Sequence, residues 1–168
     1  NALCVAGTHG KTTTTSMCAH IFLAAQRDPS IMIGGVLPAL GAGHRVGHGD
    51  TIILESCEYC NSFLSFYPTV AVILNIEADH LDFFKDLDDV EHSFRAFADL
   101  VPQSGTVLAN GEDENTMAAL KGKEDVLTFG LHHGDFHAEN LTWDHGFPSF
   151  DVVWNDEPKA HITLQVPG

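Results

Sequence analysis

An apolar run, Leu3-Cys4-Val5-Ala6, passes directly into Gly7-Thr8-His9-Gly10-Lys11-Thr12-Thr13-Thr14, and a helical stretch, Thr12–Ala25, follows at once. A strand that breaks on glycines and restarts as a helix belongs at the carboxyl edge of an α/β sheet. Glycines at positions 7 and 10 let backbone N–H groups turn inward on phosphate oxygens, and the helix start adds partial positive charge at the same place. Lys11 would then neutralise the outer phosphates of a nucleotide, and the Thr12 hydroxyl would ligate Mg²⁺. A strict P-loop carries its first glycine at position 5, where this chain has Val5, so the match is to a shorter variant, G-T-x-G-K-T. The competing reading is a glycine-rich turn with a chance Lys-Thr; the strand before it and the helix after it favour the cradle.

The remainder of residues 1–130 keeps the same alternation, which predicts βαβ units feeding an open, mostly parallel sheet flanked by helices. Further strands are expected at Ile31–Ile33, Thr51–Glu55, Val70–Ile76, Thr106–Ala109 and Val126–Phe129. Thr12–Ala25 sets Met17, Ile21 and Ala24 on one helical face, and Asp88–Val101 does the same with Val90, Phe94, Phe97 and Val101. Asp86, Asp88 and Asp89 suit the positive end of that second helix, and Asp113–Leu120 reads as a third. The stretch Gly34–Gly49 reads as a long ordered loop. Beyond residue 130 the helical period disappears. Phe136–Trp143, Phe150–Trp154 and Ala160–Val166, separated by turn residues, predict a small antiparallel meander over 131–168.

Eight Lys+Arg against 23 Asp+Glu give a net charge of -15, and the basic residues are scattered. This argues against nucleic acid or an anionic membrane as partner. The apolar runs fall far short of a membrane span, and no charged segment precedes an apolar one at the start. Four cysteines at irregular spacing do not form a disulfide framework, so a reducing, cytoplasmic compartment is expected. The chain opens on Asn1 with a strand already under way and stops as another strand closes; the expectation is a piece of a larger enzyme.

Two further clusters fall at strand ends. Glu55 closes the apolar run Ile53-Leu54, and a carboxylate there is costly to bury unless it is paired or bound to a cation. If that strand lies parallel to the first, Glu55 emerges beside the cradle as a Mg²⁺ ligand, direct or through water; a solvated strand-end acid is the alternative. Asn75-Ile76-Glu77-Ala78-Asp79-His80-Leu81-Asp82 follows the most apolar strand and brings acids and His80 to the same edge, although His80 taken alone could equally be a cap. Cys57-Glu58-Tyr59-Cys60 has the C-x-x-C spacing of zinc or redox sites, against two ordinary thiols near a short helix. His44, His48, His132, His133, His137 and His145 read as solvated surface, and Phe63–Phe66 as core.

Gly7-Thr8-His9-Gly10-Lys11-Thr12-Thr13-Thr14-Thr15, Glu55 with Ser62-Phe63-Leu64, and the block Asn75–Asp82 together resemble the central ATP-binding domain of the Mur ligases. The histidine in the cradle and the complete N-I-E-A-D-H-x-D block are most similar to the branch that joins L-alanine to UDP-N-acetylmuramate. Leu164-Gln165-Val166-Pro167-Gly168 resembles the family's L-x-V-P-G segment, which leads into an adenine-holding helix.

The resemblance implies a three-domain parent of which this chain is an incomplete middle. It also implies a reaction in which ATP phosphorylates the lactoyl carboxylate and the L-alanine amine attacks the acyl phosphate, with no protein nucleophile. The implied small-molecule partners are ATP, UDP-N-acetylmuramate and L-alanine, and the implied cofactors ATP and Mg²⁺. By the same resemblance Gly7, Thr8, His9, Gly10 and Thr13 hold phosphates, and Lys11 contacts the transferring phosphoryl group. Thr12 and Glu55 hold one Mg²⁺, His80 helps hold a second metal, and Asp82 orients His80. Lys11, Glu55 and His80 form the implied catalytic set, with Glu58 outside it. Several members use a carbamylated Lys about fifteen residues after that His; here Arg95 lies in that region, which leaves the second metal's ligand set open. The alternatives are the branch that recycles murein tripeptide, a non-ligase P-loop module, and an acidic metal or redox module. Lys11, read as an exposed loop residue, is expected to be replaceable by alanine without harm to the fold.

Overall fold

The computed structural model describes residues 1–166. Ten strands form one sheet in the order β10-β9-β8-β7-β6-β5-β1-β4-β2-β3. The strands are β1 (Ala2–Ala6), β2 (Ser30–Leu37), β3 (Ala42–Arg45), β4 (Ile52–Glu55), β5 (Val70–Ile73), β6 (Thr106–Asn110), β7 (Val126–Phe129), β8 (Phe136–Asp144), β9 (Phe147–Trp154) and β10 (Glu157–Thr163). Helices α1 (Lys11–Ala24), α2 (Leu87–Asp99) and α3 (Glu114–Ala119), with a 3-10 segment at Tyr59–Ser65, flank it. Strands β2, β4, β1, β5, β6 and β7 run parallel, while β3, β9 and β10 pair antiparallel with their neighbours. The α/β reading and the antiparallel end both match this architecture.

Two apolar layers cover the sheet. On one side Phe63 stacks on Phe97 at 4.7 Å and meets Phe94 edge-on at 5.3 Å. These rings, with Val90, Phe84 and the inward residues of β1, β5 and β6, make the larger core. The i, i+4, i+7 spacing of Val90, Phe94 and Phe97 accounts for the register of α2, and the Asp86 carboxylate caps its start by accepting from the Asp89 amide at 3.1 Å. On the other side Ala19 packs with Ile31, Ile33 and Leu37.

Two expectations fail here. The inward face of α1 is Thr15 and Ala19, with Leu23 packed beside them, whereas Ile21 is 65% exposed. The helix begins at Lys11, so its rotation follows from the need to aim that side chain into the glycine turn, and apolar residues all round leave periodicity without a vote. The stretch Gly34–Gly49 is a hairpin rather than a loop for much of its length, because β2 runs on to Leu37 and β3 returns along it. Gly43 makes the close pairing possible: a Cβ there would meet the Gly35 carbonyl oxygen at 2.6 Å. The two later hairpins turn on His145-Gly146 and Asn155-Asp156, all at positive φ, as tight two-residue turns demand.

Candidate active site

Strand β1 lies between β4 and β5, so the segments that follow these three neighbours leave the sheet side by side. Val5 is opposite Glu55 in register and Ala6 is opposite Ile73. The glycine turn, Glu55 and the Asn75–Asp82 block therefore meet at one rim.

The turn is tied to the β5 exit by a closed set of bonds. The Thr8 amide donates to the Asn75 carbonyl oxygen at 3.0 Å. The His9 amide donates to Asn75 Oδ1 at 2.7 Å, and Asn75 Nδ2 donates back to the His9 carbonyl at 3.1 Å. The Glu77 amide donates to Thr8 Oγ1 at 2.9 Å. Gly7, at φ +146°, needs its missing side chain: a Cβ would lie 2.9 Å from Leu74 Cβ. Gly10 sits left-handed (φ 81°) at the start of α1. Thr8, His9, Gly10, Lys11, Thr12 and Thr13 line the resulting polar concavity of about 260 Å³. His9 Nε2 lies 3.5 Å from Glu77 Oε2 at its exposed lip.

Lys11 is indoors. Its Nζ donates to the Gly7 carbonyl at 2.5 Å, to the Thr8 carbonyl at 3.1 Å and to the Glu58 carboxylate at 3.0 and 3.3 Å. The lysine side chain is 13% exposed and that of Glu58 only 2%. Glu58 thus lies at the centre of the site. The exposed-lysine expectation also fails, since an alanine at position 11 would strand a buried carboxylate.

Beside this pair Thr12 Oγ1 donates to Glu55 Oε1 at 2.9 Å, and the other Glu55 oxygen accepts from the Gly34 amide at 2.7 Å. An octahedral Mg²⁺ with bonds of about 2.0–2.1 Å separates adjacent oxygens by about 2.9 Å, so the hydroxyl and carboxylate already stand at the spacing of two neighbouring ligands. The all-oxygen donor set fits Mg²⁺, and Thr12 with Glu55 are the residues that would hold it. Among the described residues no three His, Cys, Asp or Glu side chains are arranged to hold a metal by themselves.

His80 reaches the rim from the other side of Lys11. Its Nε2 lies 3.8 Å from Glu58 Oε1 and 3.9 Å from Asp79 Oδ2. Its backbone is left-handed (φ 53°), and its carbonyl accepts from the Phe83 and Phe84 amides at 2.8 and 2.9 Å. Asp82 does not pair with it as the resemblance implied: Asp82 Oδ2 accepts from the Tyr59 hydroxyl at 2.8 Å, a bond that pushes the tyrosine pKa up. The Tyr59 ring lies on the imidazole instead, centroids 4.7 Å apart.

Elsewhere, Arg95 pairs with Asp99 and donates to the Lys121 carbonyl, and Cys57 and Cys60 are exposed thiols, unbridged. His137, expected on the surface, is partly buried and lines an apolar groove of about 380 Å³ with Phe129, Phe136 and Phe150. Val166 is the last described residue, so Pro167 and Gly168 of the L-x-V-P-G segment fall outside the described residues.

Sequence comparison gives this geometry its kin. The family described as Mur ligase middle domain matches residues 5–168. The chain belongs to this family. A UDP-N-acetylmuramate--L-alanine ligase of Clostridium novyi is 47% identical over 167 residues, which covers 99% of this chain and 36% of that protein. The chain therefore spans about a third of the length of the curated relatives it matches. Among solved structures, a UDP-N-acetylmuramate:L-alanyl-gamma-D-glutamyl-meso-diaminopimelate ligase from Neisseria meningitides superposes with a TM-score of 0.86 at 30% identity, over 99% of this chain and 56% of that one. A UDP-N-acetylmuramate-alanine ligase from Thermotoga maritima gives 0.85 at 26% identity, over 100% and 37%.

Proposed function

We propose that this Mur ligase domain is the nucleotide-handling part of a cytoplasmic enzyme that joins L-alanine to UDP-N-acetylmuramate with ATP, in peptidoglycan precursor synthesis. Domains that bind the UDP-sugar and deliver the amino acid would flank it. The observation that carries the reading is the Thr12–Glu55 contact at 2.9 Å on the lip of a concavity that also receives Lys11. A triphosphate needs this trio: backbone amides to cradle it, a cation to meet its outer charge, and paired oxygens for its metal. The 47% identity to an alanine-adding ligase, with 46% and 45% to two further clostridial ligases of the same name, supports L-alanine as the amino acid. Membership of a ligase family does not favour a non-ligase P-loop module.

In this reading the Gly7–Gly10 turn, its Thr8 and His9 amides bound to Asn75, shapes the cradle, the amides where α1 begins meet the phosphates, and Lys11 exchanges Glu58 for the transferring phosphoryl group. Thr12 and Glu55 would hold Mg²⁺, which would supply charge neutralisation at that group. His80 stands on the far side of Lys11, where the activated carboxyl of the sugar substrate would be received and a second metal helped into place. Positioning and preorganised charge carry the rate, and removing one such contact typically costs about 10²–10³-fold.

The test is phosphate release coupled to UDP-N-acetylmuramate and L-alanine in a full-length ligase carrying this domain. Lys11→Ala combined with Glu58→Gln leaves no buried charge unpaired and is expected to stop the reaction in a folded protein. Glu55→Ala should raise the Mg²⁺ requirement. A double variant that still ligates removes the cradle from the mechanism.

A further inference from the structure

Tyr59 has no part in the motifs that mark the family likeness, yet it touches two residues of the block that carries His80 and the phenylalanine that follows it. Its ring lies on the His80 imidazole (4.7 Å, tilted 39°) and edge-on to Phe83 (6.1 Å), and its hydroxyl donates to Asp82 Oδ2 at 2.8 Å. We propose that Tyr59 is a positioning residue for His80, a ring platform that sets where the imidazole stands relative to Glu58 and Lys11.

Such a platform is useful only if it is anchored, and it is. The 3-10 segment that carries Tyr59 is closed by the Ser62 hydroxyl, which donates to the Cys57 and Tyr59 carbonyl oxygens at 2.8 and 3.0 Å. Asn61 accepts from the Ser93 hydroxyl on α2, and Phe63 is fully buried between Phe94 and Phe97. The Tyr59 ring is thereby referred to the main core. His80 needs this. Its left-handed backbone is costly for a residue with a side chain, and its Nε2 has Glu58 and Asp79 oxygens only at 3.8 and 3.9 Å, too far to fix a ring by hydrogen bonding. Ring-on-ring contact in the 4.5–7 Å range does that instead. Glu58 and Tyr59 are consecutive, so one turn supplies both the carboxylate facing the imidazole edge and the platform under its face.

The inference rests on the ligase reading of the rim, and its test separates the two. Tyr59→Phe keeps the ring and loses the hydroxyl, whereas Tyr59→Leu keeps bulk and loses the ring. In the 168-residue chain, proton NMR of His80 should show ring-current-shifted imidazole signals in the wild type and Tyr59→Phe, and unshifted ones in Tyr59→Leu. In a full-length ligase carrying this domain, Tyr59→Leu should lower kcat about ten-fold with the ATP KM held within about twofold, and Tyr59→Phe should restore most of it. Imidazole signals in Tyr59→Leu that coincide with the wild type, or an undiminished kcat, overturn the platform. If His80→Ala stops ligation while Tyr59→Leu runs at full rate, the platform alone falls. Full activity in His80→Ala sinks the ligase reading of this side of the rim.

Discussion

Lys11 and Glu58 show how much a single pair can hide. Four oxygens surround the ammonium, two of them backbone and two from a carboxylate with 2% exposure. Truncating one member of a buried pair typically costs about 3–5 kcal/mol because the other is left uncompensated. Lys11→Ala should therefore destabilise the chain by about that amount in urea unfolding, and adding Glu58→Gln should recover most of the loss. A Lys11→Ala midpoint equal to the wild type would show that the two charges do not depend on each other. The turn that holds the pair was half legible. Gly7, Gly10, Lys11 and Thr12 declare themselves because their chemistry lies in consecutive residues. Glu58 does not, because the chain bends just after it, with Cys60 and Asn61 both at positive φ; asparagine enters that region readily, but cysteine does not, and the bend is not announced. Tyr59 is hidden by the same bend.

Among elements, α2 was readable and α1 was not, for one reason seen from two sides. The α2 face is set by burial alone, so its apolar spacing is its register. In α1 the orientation of Lys11 and Thr12 comes first, and Ile21 is left in solvent as a result. The β2–β3 hairpin is not legible in the sequence because a glycine-rich stretch reads as irregular chain, whereas here Gly43 lets two strands approach. That hairpin is latched at its open end: Arg45 donates to the Pro29 carbonyl at 2.6 Å and to the Asp28 carboxylate, which also accepts from the His48 amide at 2.8 Å. The Arg45 bond is the main cause holding the Asp28 carboxyl below its ordinary value. A carboxyl with a lower pKa folded than unfolded adds stability that is present at neutral pH. That stability is lost as pH falls from about 4 through the folded value. Asp28→Asn should flatten this part of the acid limb in pH-dependent unfolding. An acid limb identical to the wild type would mean that the latch contributes nothing.

For the molecule as a whole, alternation along the chain announced a parallel sheet but not the order of its strands, which depends on non-local pairing. The order matters most at two places. It sets β4, β1 and β5 side by side, so that residues 7, 55 and 80 meet. It also joins the two halves of the sheet through a single β7–β8 register pair, Phe129 with Phe136, helped by Asp135, which accepts from the Thr128 amide and hydroxyl, and by Glu112, which accepts from the His132 and His133 amides. Hydrogen exchange should find the β8–β10 amides opening about ten-fold or more faster than those of β1 and β5; equal protection across the sheet would show that the junction is no weaker than the rest. The junction also divides where this protein can tolerate alteration. The residues proposed to hold phosphate all lie before residue 83, and no side chain from β8, β9 or β10 lines the concavity. A splice after residue 130 that lengthens, shortens or exchanges the three-stranded wing should leave the grip untouched.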